Sequence, residues 1–372
     1  MARFAACLAS FALVCAVGAH AQPPAAPPGY KPPSLTGGDF VMHDFHFDDG
    51  ETLPEVRMHY STLGTLHRDG AGHVDNAVLI MHGTTGSGDR LADAPMFASE
   101  LFGPGQPLDI TKYYLIFPDD LGHGKSSKPS DGLKAHFPKY DYADMVEAEH
   151  RMVTDGLHVD HLRLVMGTSM GCMHSFMWGE NWPTMMDALM PLACSTVQIA
   201  GRNRVWRDMI VYAITSDPAW QGGDYKEEPR EALLAAADIS IIAGSAPWQM
   251  QRQLPTRDDS DAYVKRVVEA DIAHDDANDE LYQVNSSRDY DPSPKLGQIT
   301  APLLWINSAD DFINPPELGI AEQEVKKIRH GTFVLLPISP TTHGHGTHTW
   351  AINWKDRLAQ LLAETARPEP AR

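Results

Sequence analysis

Short runs of apolar residues recur along the chain, separated by longer stretches with helical patterning. The six continuous runs are 76–82, 113–119, 162–167, 188–193, 301–307 and 332–338. Runs of this length suit parallel strands buried on both faces, with the intervening stretches crossing over as helices. Two earlier segments, 40–47 and 56–64, alternate apolar and polar residues and predict an antiparallel pair at a sheet edge. The pattern therefore predicts an α/β fold around a mostly parallel eight-stranded sheet with helices on both faces.

Two further parts of the chain lie outside this pattern. Residues 22–38 are rich in proline and glycine, which build neither a helix nor a central strand, so we expect a linker there. Residues 200–294 contain no clear buried strand and are rich in Ala, Asp, Arg and Trp. They predict a helical lid inserted over the sheet. The core then comprises residues 39–199 and 295–366.

The N-terminus has the features of a secretory signal peptide. Arg3 supplies a positive charge, residues 4–17 are apolar, and small residues at Ala19 and Ala21 form a cleavage site. We expect residues 1–21 to be removed by cleavage after Ala21 and the mature protein to be periplasmic or secreted. The apolar run is too short to span a bilayer stably, so we expect no stable membrane insertion. An uncleaved anchor is the alternative.

The composition and net charge limit which partners this protein can bind. The chain has 372 residues, 43% of them hydrophobic, which is enough for one large α/β domain with an insertion. Lys and Arg number 30 against 49 Asp and Glu, giving a formal charge of -19. Nucleic acids and anionic membranes repel such a protein, so we expect neither as a partner.

Four cysteines are present, and removal of the signal peptide would leave Cys172 and Cys194. A single disulfide is one alternative in an oxidising compartment. Two buried free thiols are the other, and the sequence favours them because buried cysteine commonly behaves as a small hydrophobe.

The pentapeptide GTSMG, residues 167–171, ends an apolar run and precedes a helical pattern. G-x-S-x-G between a strand and a helix is typical of a nucleophile elbow, in which serine occupies a sharp turn. Small flanking residues are needed because the strand and the helix approach each other closely. The motif predicts Ser169 as a nucleophile, with the backbone N–H of Met170 facing the developing oxyanion.

A second glycine-rich loop supplies the other oxyanion donor. HGTTG, residues 82–86, follows an apolar run directly, and we assign the donor to the backbone N–H of Thr84. A simple turn is the alternative. The later segment 122–127 contains the G-K-S of a phosphate-binding loop, but Asp119 stands where that motif requires its first glycine. We therefore expect no cofactor.

A serine nucleophile needs a base and a carboxylate that orients the base, in the chain order Ser, Asp, His for this architecture. Asp310 and Asp311 both follow the run 301–307. We prefer Asp311 because Pro315 stands four residues after it, as is usual in hydrolases of this type. The base is expected in THGHGTHTW, residues 342–350, between the last apolar run and an amphipathic helix.

This segment places His343, His345 and His348 within six residues. The H-x-H-x-x-H spacing resembles the zinc-binding run of metallo-β-lactamase-like hydrolases. Zinc would need further ligands from other strands and would leave Ser169 without a base. Thr347 also stands where that pattern has an aspartate. We therefore expect one catalytic histidine here and no metal.

These motifs, and the order in which they occur along the chain, resemble those of the α/β-hydrolase superfamily and, within it, the homoserine O-acetyltransferase group. The segments that carry the resemblance are 82–89, 107–122, 167–183, 197–225, 310–317 and 344–346. The resemblance implies an α/β-hydrolase fold and a small-molecule acyl substrate. Because the group is often dimeric, it also implies a homodimer.

Taken residue by residue, the resemblance implies Ser169 as nucleophile, Asp311 as acid and His345 as base. Arg207 matches an arginine associated with the substrate carboxylate in that group. The residue after the base is Gly346, where the group has an aspartate that helps to hold the homoserine amine. This departure argues against homoserine as the substrate.

The function expected from the sequence is a secreted or periplasmic serine hydrolase that cleaves an acyl ester, lactone or amide through an acyl-enzyme. The signal peptide favours hydrolysis because acetyl-CoA is a cytoplasmic metabolite. An acyltransferase that keeps the group's reaction with the same three residues is the first alternative. A non-catalytic binding protein on this fold is the second.

Overall fold

The computed structural model describes residues 26–273 and 275–366, so the predicted signal peptide and its cleavage site lie outside the described residues. The strands are β1 (Thr36–His46), β2 (Thr52–Leu63), β3 (Ala77–Met81), β4 (Tyr114–Pro118), β5 (Leu164–Thr168), β6 (Leu189–Leu192), β7 (Leu303–Ser308) and β8 (Gly331–Leu336). They form one sheet in the order β1-β2-β4-β3-β5-β6-β7-β8. From β4 to β8 across the sheet all pairs are parallel, whereas β2 is antiparallel to both of its neighbours. The predicted fold class is confirmed.

Strand β1 begins within the stretch 22–38 that the sequence assigns to a linker. Gly37 and Gly38 lie in the strand, opposite Ser61 and Tyr60 of β2. Glycine weakens a strand, and two adjacent glycines show no alternation of apolar and polar side chains that would predict one. The pairing with the long strand β2 extends β1 at this edge, and local composition alone does not reveal that pairing.

Helices cover both faces of the sheet and form the lid. They are α1 (Gly88–Ala92), α2 (Pro95–Leu101), α3 (Tyr142–Arg151), α4 (Met170–Asn181), α5 (Gly201–Ser216), α6 (Arg230–Gly244), α7 (Pro247–Gln253), α8 (Arg257–Asp271), α9 (Ala277–Asn285), α10 (Ile320–Glu324) and α11 (Lys355–Glu364). Among the described residues, no helix combines the length and the apolar composition needed to cross a membrane.

Successive residues of a buried strand enter different cores because their side chains point to opposite faces. In β3, Leu79 and Met81 belong to a cluster that includes residues of α3 and α4. Val78 and Ile80 belong to a second cluster, shared with α2 and α11. Each such fully buried side chain contributes about 1.5–3 kcal/mol relative to exposure. Burial on both faces explains why these strands are continuous apolar runs.

Helices α5 to α9 have a hydrophobic core of their own, formed by residues such as Ile210 and Leu233. Helix α9 joins this lid to the loops of the core domain. The Gln283 amide donates to the carbonyl oxygen of Gly122 at 2.8 Å, and the Tyr282 hydroxyl donates to that of Phe137 at 2.7 Å. These bonds fix the position of the lid over the carboxyl ends of the strands.

Candidate active site

Ser169 occupies a strained turn between β5 and α4. Its backbone has φ 54° and ψ -107°, which is unfavourable for a residue with a side chain. A Cβ on Gly167 would overlap the carbonyl group of Gly171, and a Cβ on Gly171 would overlap that of Met81. The two glycines therefore allow the close approach of strand and helix that a nucleophile elbow requires.

The structure brings the three sequence-predicted catalytic side chains together. Nε2 of His345 lies 2.8 Å from Oγ of Ser169, and its Nδ1 lies 2.9 Å from Oδ2 of Asp311. These contacts fit a neutral imidazole that donates from Nδ1 to the carboxylate and accepts the serine proton at Nε2. Ser169 follows β5, Asp311 follows β7 and His345 follows β8, so all three lie at the same edge of the sheet.

Asp311 is buried in a frame of hydrogen-bond donors. Its Oδ1 accepts from the backbone N–H groups of Ile313 at 2.8 Å and Asn314 at 3.2 Å, and its Oδ2 accepts from the Asn314 side chain at 3.1 Å. Burial acts to raise the pKa of Asp311, but the electrostatic interaction with His345 and the hydrogen bonds from His345 and Asn314 bring it below the usual value. The carboxylate is therefore ionised and held towards His345.

The neighbours of these residues have other contacts. Asp310 accepts from the hydroxyl of Ser308. The His343 ring stacks on Trp350, with centroids 3.6 Å apart, and the His348 ring packs edge-on against His345 at 5.3 Å. Both ring nitrogens of His345 are taken by Ser169 and Asp311, so the histidine run does not present three free imidazoles to one ion.

The two sequence-predicted oxyanion donors flank Ser169. Met170 is the first residue of α4, a position whose N–H has no partner within the helix. The loop 82–86 turns back on itself through a bond from Gly86 N–H to the Gly83 carbonyl at 2.9 Å. A Cβ on Gly83 would lie 3.2 Å from Cβ of Ser169, so this loop, which includes Thr84, packs directly against the nucleophile.

Arg207 of α5 lies in the interior with 2% of its surface exposed. It donates from Nε to the Asn203 side chain at 3.1 Å and from Nη1 to the Val284 carbonyl at 3.3 Å. The Tyr142 side chain lies near both the Arg207 guanidinium and Thr84, and its hydroxyl has no hydrogen-bond partner among the described residues. Within the described part of the chain, no carboxylate is in ion-pair contact with Arg207. Arg207 is thus a buried cation, with Tyr142 nearby, that carries no charged partner among these residues.

A disulfide joins Cys172 to Cys194. The sequence favoured two free thiols, and the structure corrects this because α4 and the segment after β6 bring the two Cα atoms within 5.8 Å. That distance suits a disulfide. The bond ties the helix that begins after Ser169 to the segment that leads into the lid.

Comparisons with known proteins identify the family to which the chain belongs. A family model described as alpha/beta hydrolase fold matches residues 76–336. The chain belongs to this family. A homoserine O-acetyltransferase of Moorella thermoacetica is 30% identical to it, over 88% of this chain and 95% of that protein.

Solved structures of α/β hydrolases share the fold. A homoserine O-acetyltransferase from Bacillus anthracis superposes with a TM-score of 0.76 at 20% identity, covering 88% of this chain and 97% of that one. Esterase E22 gives a TM-score of 0.76 at 20% identity, covering 88% and 100%. The protein is therefore an α/β-hydrolase-fold enzyme of the acyltransferase and esterase type that resembles homoserine O-acetyltransferases.

The sequence motifs identify the three side chains that the structure brings together but miss residues that position them. Asn314 holds Asp311, and Tyr142 lies near both Arg207 and Thr84 of the oxyanion loop. Asn314 lies in the segment 310–317 but is assigned no role there, and Tyr142 belongs to no motif. Asn314 stands three residues after Asp311, so a search for donors around the acid would have found it, whereas no local pattern marks Tyr142.

Proposed function

We propose that this protein transfers an acyl group from an ester or thioester donor to an alcohol through an acyl-enzyme on Ser169. One observation carries the proposal: His345 lies 2.8 Å from Ser169 Oγ at one nitrogen and 2.9 Å from Asp311 at the other. This is the arrangement that makes a serine hydroxyl nucleophilic at neutral pH.

The steps follow from that geometry. Ser169 Oγ attacks the acyl carbonyl while its proton passes to Nε2 of His345, and Asp311 stabilises the imidazolium. The N–H groups of Met170 and Thr84 receive the oxyanion. The leaving alcohol or thiol takes the proton from His345, which leaves the acyl group on Ser169. An acceptor alcohol then attacks this ester, gives its proton to His345 and departs as the new ester, and the proton returns to Ser169.

An acyltransferase is favoured over the hydrolase that the sequence alone placed first. The Moorella thermoacetica relative is named for acetyl transfer to homoserine and is aligned over most of both chains. Arg207 supports an acceptor with a carboxylate group, because a buried cation without a charged partner is costly and a bound carboxylate removes that cost. We expect Arg207→Gln to raise KM for such an acceptor with little change in the rate of donor hydrolysis.

Hydrolysis, with water as the acceptor, is the second candidate. Gly346 stands where the acetyltransferase group has the aspartate that helps to hold the homoserine amine. Without that carboxylate, an amino group on the acceptor lacks a charged partner at this position. An acceptor that binds weakly leaves water to resolve the acyl-enzyme, and the same three residues then catalyse ester cleavage.

We also propose that the enzyme is exported after cleavage at Ala21. The disulfide between Cys172 and Cys194 supports this proposal, since such bonds persist mainly in oxidising compartments. N-terminal sequencing of the protein recovered from its native compartment tests it. A mature terminus at Gln22 is expected, and an intact terminus in the cytosolic fraction would contradict export.

The two candidates differ in what removes the acyl group from Ser169: an acceptor alcohol in the transferase, and water in the hydrolase. The mature protein is incubated with p-nitrophenyl acetate or acetyl-CoA, with and without homoserine or another hydroxy acid, and the acetylated products are quantified. Transfer predicts an acetylated acceptor that forms at the expense of free acetate. Release of acetate alone, unaffected by any acceptor, would establish the hydrolase. Ser169→Ala is the control and should form neither product.

A further inference from the structure

Four elements meet beneath the nucleophile elbow and bury a group of polar side chains that the acyl-transfer steps do not use. His82 follows β3, Asp120 follows β4, Glu149 lies on α3 and His174 lies on α4. The side chains of Asp120, Glu149 and His174 have no exposed surface, and that of His82 is 2% exposed. Polar atoms of Asp120, Glu149 and His174 lie within 4.8 Å of one another.

The hydrogen bonds of Glu149 show that it is the charged member. Its Oε1 lies 2.7 Å from Nδ1 of His174, and its Oε2 lies 2.7 Å from Nε1 of Trp178. A tryptophan nitrogen only donates, so Oε2 must accept. Burial lowers the pKa of His174 to about 4, so this histidine is neutral. Because its Nε2 is buried without a hydrogen-bond partner among the described residues, we place the ring proton on Nδ1, which then donates to Glu149. Both oxygens of Glu149 thus act as acceptors, as in a carboxylate.

Asp120 lacks any donor that would stabilise a second negative charge. As an anion it finds no hydrogen-bond partner for either carboxylate oxygen. The nearest histidine nitrogen, Nε2 of His82 at 3.6 Å, already accepts from the Asp120 backbone N–H at 3.1 Å. Among the described residues, no lysine or arginine forms an ion pair with Asp120 or Glu149. As a carboxylic acid, however, Asp120 can donate to Glu149, with which it is in hydrogen-bonding contact.

We propose that Asp120 is held as a neutral carboxylic acid bonded to the Glu149 carboxylate, and that this pair positions the oxyanion loop 82–86. The connection runs through His82. Its Nε2 accepts from the Asp120 backbone, its Nδ1–H donates to the Gly83 carbonyl at 2.7 Å, and its own carbonyl accepts from Gly171 N–H at 2.9 Å. The pair therefore supports the loop on one side of Ser169 and the helix on the other.

Loss of the shared proton places two carboxylates next to each other without solvent. Their repulsion separates β4 from α3, and the displacement reaches the loop through His82. The ionisable side chains around Asp120 are Glu149 and Tyr142 on α3, His174 on α4, His82 after β3, and His123 and Tyr140 on the following loop. None of them carries a permanent positive charge. The proposal rests on the proposed function only where it concerns catalysis.

Stability depends on pH in a direction that follows from this assignment. Burial first, and then the charge of Glu149, raise the pKa of Asp120 well above its usual value of 3.8. The folded protein therefore keeps a proton that the unfolded chain releases near pH 4. The free energy of unfolding should fall as the pH rises above that value, until the folded state also loses the proton.

Two isosteric exchanges of the same kind test the proposal. Asp120→Asn keeps a donor towards Glu149 and cannot ionise, so we expect kcat/KM near the wild-type value and a weaker fall of stability with rising pH. Glu149→Gln turns an acceptor into an N–H₂ group that faces the donors of Trp178 or His174. We expect it to lower kcat roughly 10- to 100-fold with KM nearly unchanged. Removal of an oxyanion donor itself typically lowers kcat by roughly 100- to 1,000-fold, so a displaced donor should cost no more than the smaller of these losses.

The measurements are ester turnover, urea unfolding from pH 4 to pH 9 and labelling of Ser169 by a fluorophosphonate. An Asp120→Asn protein that loses as much activity as Glu149→Gln would overturn the proposal, because an ionised Asp120 would then be required. A stoichiometric divalent ion found in the purified protein by elemental analysis would also overturn it.

If Glu149→Gln does not fold, Asp120→Asn decides alone. If the wild type transfers no acyl group, the unfolding data still test the neutral Asp120, so the two proposals fail separately.

Discussion

His345 makes the two hydrogen bonds on which the chemistry of the site depends, one to Ser169 and one to Asp311. Asp311 fixes the tautomer that leaves Nε2 free to accept the serine proton. Asp310 is adjacent in sequence but bonds to Ser308 instead. The two neighbouring carboxylates therefore offer a matched pair for mutation.

Asp311→Asn should lower kcat by about 10⁴-fold, because an amide in this position favours the wrong tautomer of His345. Asp310→Asn should keep most of the activity, since its carboxylate does not face His345. Steady-state rates with p-nitrophenyl acetate, combined with thermal unfolding to confirm that both proteins fold, provide the test. Equal losses in the two variants would show that the acid has been assigned to the wrong residue.

The residues that meet in the candidate site could be predicted because each follows a strand and lies in a recognisable motif. Ser169 has the G-x-S-x-G turn, and His345 lies between two glycines after the last apolar run. The Asp120–Glu149 pair could not be predicted in this way. Its members come from different elements, and their chemistry depends on burial and on donors that only the fold brings together.

At the scale of elements, the strands were predictable and the lid was predictable only as a helical region. Strands buried on both faces are continuous apolar runs, which few other elements imitate at this length. The lid helices α5 to α9 bury only part of their surface against a small core, so their apolar pattern is interrupted and their bounds are not apparent. The early start of β1 at Thr36 depends on pairing with β2, which is also a tertiary effect.

The disulfide stabilises the arrangement of elements because it joins α4 to the segment after β6. Its cysteines are 22 residues apart, and closing such a loop in the unfolded chain corresponds to about 3 kcal/mol of stability. We expect the Cys172→Ala, Cys194→Ala double variant to lose about this amount in urea unfolding without added reductant. Two thiols titrated in the folded wild-type protein, with no change in stability on reduction, would contradict the bond.

At the scale of the molecule, the sheet brings the ends of β5, β7 and β8 to one edge and the lid closes over them. The catalytic residues at this edge come from the core domain, whereas Arg207 comes from the lid. In the proposed mechanism, the acyl chemistry is therefore a property of the core, and the choice of acceptor depends on how the lid meets it. The homodimer, the lack of nucleic-acid partners and the periplasmic or secreted location remain predictions.

The central claim is that Ser169 carries the acyl group between donor and acceptor. Mass spectrometry of the protein after rapid mixing with p-nitrophenyl acetate and acid quenching tests it most directly. We predict one acetyl group on the peptide that contains Ser169, removed by chase with an acceptor or water, and absent from Ser169→Ala. Undiminished turnover by Ser169→Ala, or an acetyl group found only on another residue, would contradict the account.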